Sequence, residues 1–152
     1  MDNPYYKVTD RLYIAGAGAV NAIDKLRADG ICRVLKLYDG PPEWPSDFTV
    51  CDNAIDDGVF IPKDVLDYGV RFVKSGMDDG RPVMVVCGMG ISRSATFVLA
   101  SLLENGHDLK DAFMLLRAAR PQAWPMRALW NSLITHYNLN NTLDEIETWR
   151  TA

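Results

Sequence analysis

The five-residue run Val83 to Cys87, VMVVC, constrains this chain more than any other stretch. It is apolar at every position, which leaves no face for water and makes it a buried strand. It runs straight into a turn carrying Gly88 and Gly90, and an apolar helical pattern, SRSATFVLASLLENG, follows at once and closes at Gly106. The chain thus puts a cysteine at the end of a buried strand and an arginine, Arg93, six positions later at the mouth of a helix.

The other periodicities supply layers around that strand. Residues 11–16 and 31–38 read as strands, and 48–55 as another. Between the first two, AVNAIDKLRADG places Val20, Ile23 and Leu26 on one helical stripe and stops at Gly30. Residues 62–80 begin with Pro62 near a helix N-terminus and carry Val65, Leu66, Gly69, Val70 and Val73 at helical spacing. After the motif helix, residues 108–120 form a second helix, with Asp108 as N-cap, Asp111 in the first turn and Pro121 at its end. Residues 125–138 form a third, and the acidic tail 142–152 is a further helical candidate. The loop YDGPPEWPSD, residues 38–47, has three prolines and a glycine, which exclude helix and strand.

Strands and helices alternate through the first two thirds of the chain, and helices dominate the last third. The expectation is an α/β fold with a mostly parallel central sheet of about four to five strands flanked by helices, as one domain over residues 1–152. In such sheets ligands bind beyond the carboxyl ends of the strands, which is where Cys87 lies.

Sixteen basic residues against twenty acidic ones give a formal charge of −4. No bulk positive field draws nucleic acid or an anionic membrane, so neither is an expected partner, and any bound anion must be held locally. The amino terminus lacks the basic-then-apolar order of a signal peptide, and no stretch is apolar for the length a bilayer needs. Cys32, Cys51 and Cys87 are odd in number and form no C-x-x-C pair, and His107 and His136 are the only histidines. That argues against a disulfide framework or a metal centre and suits a reducing, cytoplasmic location, with no metal and no cofactor expected. Nothing in the sequence sets an oligomeric state.

The turn after Cys87 has the properties of an anion cradle. Gly88 and Gly90 lack a Cβ, so the backbone can curl and direct N–H groups inward. The helix starting near Arg93 adds free N–H groups and the positive end of its dipole. Together these make a nest of tetrahedral-oxyanion size, built from Gly88, Met89, Gly90, Ile91, Ser92 and Arg93, which the Arg93 fork closes over two oxygens of one phosphate. A cysteine at the base feels the same field, which favours thiolate over thiol. A nucleophilic sulfur beneath a bound phosphorus is the arrangement for covalent phosphoryl transfer.

These residues carry a family resemblance. VVCGMGISRSATF resembles the signature H-C-x-x-G-x-x-R-[S/T] of the cysteine-based protein tyrosine phosphatases, and GISRSAT is closest to the dual-specificity branch. DRLYIAG and GICRVLKL are similar to that branch's first strands and ARPQAWP to its segment after the signature helices, so the likeness covers most of residues 5–137. The resemblance implies that fold and a phosphatase acting on phosphotyrosine, phosphoserine and phosphothreonine in proteins, or on a small phosphomonoester, through a cysteinyl-phosphate. It implies Cys87 as nucleophile, Arg93 as phosphate clamp and Ser94 as the hydroxyl that assists the departing sulfur. The family's general acid is an aspartate some thirty residues before the cysteine, where NAIDDGVFIP offers two. Asp57, thirty residues before Cys87, is the first candidate, and Asp56, thirty-one before it, the second. The one departure is Val86, which replaces the signature histidine. Valine continues the buried strand but donates no hydrogen bond to support the thiolate.

Two other functions fit parts of the pattern. A phosphate-binding pseudophosphatase that recognises phosphorylated partners is compatible with Val86, but it needs neither sulfur nor acid. Rhodanese-like sulfur transfer also uses a loop cysteine, but the arginine and following serine suit phosphate better. Cys32 and Cys51 read as core, with a resolving thiol for oxidised Cys87 as the alternative. Trp130 reads as core, Trp44 as rim or surface packing, and Arg120 as a helix C-terminal cap.

Overall fold

The computed structural model describes residues 3–151. Met1, Asp2 and Ala152 lie outside the described residues, and with them part of the amino-terminal reading. The apolar run forms β5 (Val83–Cys87), buried at every position. It lies between β2 (Leu12–Gly16) and β3 (Arg33–Lys36), both parallel to it. β4 (Thr49–Asp52) adds a parallel strand beyond β3, and β1 (Tyr6–Thr9) closes the opposite edge antiparallel to β2. The described residues thus form a five-stranded, mostly parallel sheet in the order β1-β2-β5-β3-β4.

β1 is the strand that periodicity did not reveal. Its four residues bury only Val8, too little for an alternation to be read. β4 is shorter than the expected 48–55, yet its direction continues. Asn53 N–H donates to the Lys36 carbonyl and Ile55 N–H to that of Leu37, so residues 53–55 travel along β3 toward the carboxyl edge of the sheet.

Side chains alternate across β5. Val83, Val85 and Cys87 belong to the larger core, which includes residues of five helices: α2 (Lys63–Asp78), α3 (Arg93–Glu104), α4 (Leu109–Ala119), α5 (Arg127–His136) and α6 (Leu143–Trp149). Met84 and Val86 face the smaller core with Leu26 of α1 (Ile23–Ala28), Tyr38 and Phe48. Residues 17–22 are a 3-10 segment rather than the start of one helix, and of the expected stripe only Leu26 is fully buried. The reason lies at the junction with β2, where Ala17 N–H donates to the Gly88 carbonyl at 3.1 Å and ties this segment to the loop after β5.

α3 is buried from Ser94 to Leu102, which makes it the helix at the centre of the helical layer. Asp108 caps α4, its carboxylate accepting from Asp111 N–H at 2.8 Å. The acidic tail does form a helix, α6, with Thr142 Oγ1 accepting from Glu145 N–H. Phe113, Trp124, Trp130 and Trp149 meet with ring centroids 5.3 to 6.3 Å apart. Contacts of this kind contribute roughly 0.5–1.5 kcal/mol each beyond area burial. They lock α6 and the Trp124 segment onto the body of the molecule. No helix of the described residues is long and apolar enough to cross a membrane.

Candidate active site

The loop from Gly88 to Ser92 hands every one of its carbonyls to the rest of the protein. Gly88 O accepts from Ala17 N–H, Ile91 O from Trp124 N–H, and Ser92 O from Thr96 N–H and hydroxyl. Met89 O and Gly90 O accept from the Arg120 guanidinium, at 3.3 and 3.5 Å. In a planar trans peptide the N–H points opposite to the carbonyl. Anchoring five carbonyls outward therefore turns the N–H groups of Met89 to Arg93 the other way. Among the described residues none of them, nor Gly88 N–H, donates to a protein acceptor.

Arg120 does more than cap a helix, the role expected of it from the sequence. It is the C-cap residue of α4, its N–H donating to the Leu116 carbonyl at 2.8 Å. Its backbone is extended after the last turn of α4, and its side chain lies 4.6 Å over the Tyr6 ring and donates to the Tyr6 hydroxyl. The only sequence signal for it was an arginine left in place as Pro121 ends the helix. Its partners, on β1 and in the loop, are remote in sequence.

Gly90 shows how closely the loop sits on β2. Its φ is +69°, and a Cβ there would stand 2.6 Å from the Ala15 carbonyl carbon and the Gly16 nitrogen. Gly90→Ala combines left-handed strain with a backbone clash. The expected cost is about 3 kcal/mol of stability, read as a lowered urea midpoint with an unchanged slope.

Cys87 sits at the base, 2% exposed, with its Sγ 3.1 Å from Ser94 Oγ. Arg93 lies across the mouth. Its Nη1 donates to the carbonyls of Ile55 (3.2 Å) and Leu37 (3.4 Å). Its Nη2 is 3.1 Å from where a Gly88 Cβ would stand, so glycine leaves room for the guanidinium. Ser92 is a hub beyond its backbone role. Its hydroxyl donates to Asp57 Oδ1 at 2.8 Å and accepts from Met126 N–H at 2.9 Å. This holds the Asp57 loop against both the turn after β5 and the start of α5. That loop is fixed again at Ile61, whose N–H donates to Ser132 Oγ and whose carbonyl accepts from His136 Nε2.

The result is a pocket of about 350 Å³ lined by Asp57, Cys87, Met89, Ile91, Ser92, Arg93 and, on the rim, Gln122, Trp124, Met126 and Arg150. The structure thus brings Asp57, Cys87, Arg93 and the loop together, with Ser94 in contact with the sulfur. Asp56 lines a separate neighbouring cavity. The remaining cysteines are elsewhere. Cys51 lies opposite Leu35, itself opposite Val85, two strands from β5. That is about 9–10 Å, beyond the roughly 7 Å Cα separation a disulfide tolerates. Cys32 precedes β3 at the amino end of the sheet and is half-buried rather than core. Neither is placed to resolve Cys87. Trp130 is core as expected, and Trp44 packs on Phe48 and donates to the Tyr38 hydroxyl, away from the pocket.

With this geometry in view, the likeness to known proteins is specific. The dual specificity phosphatase catalytic domain model matches residues 51–139. The chain is similar to Arabidopsis thaliana dual specificity protein phosphatase 1B, 30% identical over 126 residues that make up 78% of this chain and 73% of that protein. It is 31% identical over 124 residues, 77% of this chain, to Mus musculus dual specificity protein phosphatase 12, of whose length the match spans 36%. The crystal structure of DUSP15 has the same fold, with a TM-score of 0.82 at 22% identity over 99% of this chain and 97% of that one. By this match across more than half its length, and by the fold that carries it, the chain belongs to the dual specificity phosphatase family.

Proposed function

We propose that the chain hydrolyses phosphomonoesters, on phosphotyrosine and on phosphoserine or phosphothreonine of proteins, through a cysteinyl-phosphate intermediate. The observation that carries this reading is the set of five outward-anchored carbonyls around a buried cysteine. It leaves a ring of backbone donors for one dianion, preorganised before substrate arrives.

In the first step Cys87 Sγ attacks phosphorus as the ester P–O bond breaks, and the leaving oxygen takes a proton from Asp57. The amides of Gly88 to Arg93 and the Arg93 guanidinium hold the three non-bridging oxygens as charge shifts among them. In the second step water attacks phosphorus, Asp57 recovers a proton from it, and the P–S bond breaks to release inorganic phosphate. The Ser94 hydroxyl, 3.1 Å from the sulfur, donates to the departing thiolate. Ser92 leaves Oδ2 of Asp57 free for the proton while fixing Oδ1.

Val86 favours a second reading, a phosphate-binding module without turnover. Its side chain is wholly buried on the face of β5 opposite Cys87, among apolar neighbours that offer the loop no hydrogen bond. The Ser94–sulfur contact and the Ser92–Asp57 bond argue for turnover, since binding alone requires neither. The test is p-nitrophenyl phosphate hydrolysis with a chelator present, since the cradle and Arg93 supply the positive charge. Sustained turnover inhibited competitively by vanadate is expected. Tight vanadate binding without turnover would select the binding module instead.

A further inference from the structure

Asp56, the acid that the chemistry leaves unused, opens a second question. It lines a cavity of about 490 Å³ that lies against the catalytic pocket and shares Arg93 with it. Ile55, Val59, Phe60, Ile61 and Val65 supply its apolar wall, and Asp39 is the second carboxylate on it. Val59 and Phe60 are 54% and 44% exposed, two adjacent large apolar side chains left open to solvent on this rim. Among the described residues neither Asp39 nor Asp56 has an ion-pair partner. The basic residues nearest to them along the chain, Lys36 and Lys63, are paired with Asp52 at 3.5 Å and with Asp67 at 2.9 Å. Arg93 turns its Nη1 to backbone carbonyls, and its charge is matched by the dianion once substrate is bound.

An apolar wall with carboxylates at its edge is complementary to one kind of side chain, an alkyl stem ending in a cation. We propose that this cavity is a subsite for a lysine or arginine flanking the phosphorylated residue of a protein substrate. The proposal rests on the phosphatase reading for its substrate and on the shared Arg93 for its adjacency. The stem lies on Val59 and Phe60 and the cationic head meets Asp39 and Asp56, so the subsite selects by charge what the cradle alone accepts from any phosphomonoester.

The test uses the full chain and a neutral phosphotyrosine peptide in which each of the two residues on either side is replaced in turn by Lys, Leu or Glu. At one position kcat/KM is expected to rank Lys above Leu above Glu, with about tenfold between the extremes. The double variant Asp39→Asn, Asp56→Asn is expected to lose that ranking while its kcat/KM for p-nitrophenyl phosphate stays within about twofold of wild type. Leu equal to or above Lys at every position would overturn the proposal, as would a lysine preference that survives the double variant. A collapse of p-nitrophenyl phosphate hydrolysis in that variant would overturn it too, because Asp56 would then belong to the chemistry. Binding of the same peptides to Cys87→Ser separates the two readings. A lysine preference in binding without wild-type turnover keeps the subsite and removes the hydrolytic function, whereas turnover with no preference in either assay removes the subsite alone.

Discussion

Replacing Cys87 by serine is expected to lower kcat by about four orders of magnitude or more while leaving anion binding intact. The substitution exchanges a thiol for a hydroxyl of similar shape in a site that is 2% exposed, so the loop keeps its form. What changes is the nucleophile. Sulfur is a far stronger nucleophile toward phosphorus than a neutral hydroxyl, and Ser94, which contacts the sulfur, is not a base that could activate one. The N–H groups and Arg93 do not depend on the sulfur, so affinity for inorganic phosphate, measured by calorimetry, should change little. Acid quenching during turnover of a phosphorus-labelled substrate should trap label on the wild-type protein and none on the variant. A variant that kept more than about one per cent of wild-type kcat would show that another group attacks phosphorus.

That experiment concerns residues already legible in the chain, and the reason is locality. Cys87, the two glycines, Arg93 and Ser94 act within one strand-turn-helix unit, so their spacing alone sets what they can surround. The central strand was legible for the same reason, since a run with no polar position has only one environment. The features that escaped reading act across long sequence separations. β1 buries one residue and is held by pairing with β2. Arg120 orients two loop carbonyls from thirty positions away. Ser92 reads as a cradle residue from spacing, but its bridge to Asp57 and Met126 exists only once the β4 extension and α5 converge on the loop. The same convergence separates Asp56 from Asp57, neighbours that spacing could rank but not assign to different cavities.

Asp57→Asn is expected to slow hydrolysis of a phosphotyrosine or phosphoserine peptide by about 100- to 1,000-fold, and Asp56→Asn to change it by less than about threefold when the flanking residues are neutral. The two carboxylates are adjacent in sequence and both exposed, so burial does not distinguish them. Position does. Asp57 shares the pocket of Cys87 and has Oδ1 fixed by the Ser92 hydroxyl, which belongs to the loop proposed to hold the phosphate. Its second oxygen is left to carry the proton that an alkoxide or phenolate needs as it departs. The size of the effect should follow that need. p-Nitrophenolate is stable as an anion near neutral pH, so its ester should lose far less rate in Asp57→Asn than a serine phosphate does. A substitution that merely loosened the loop would slow both substrates alike. The ratio of the two losses, measured by steady-state kinetics on the same preparation, therefore reports proton donation itself: equal losses would remove Asp57 from the chemistry, and a large loss confined to the poor leaving group would place it there.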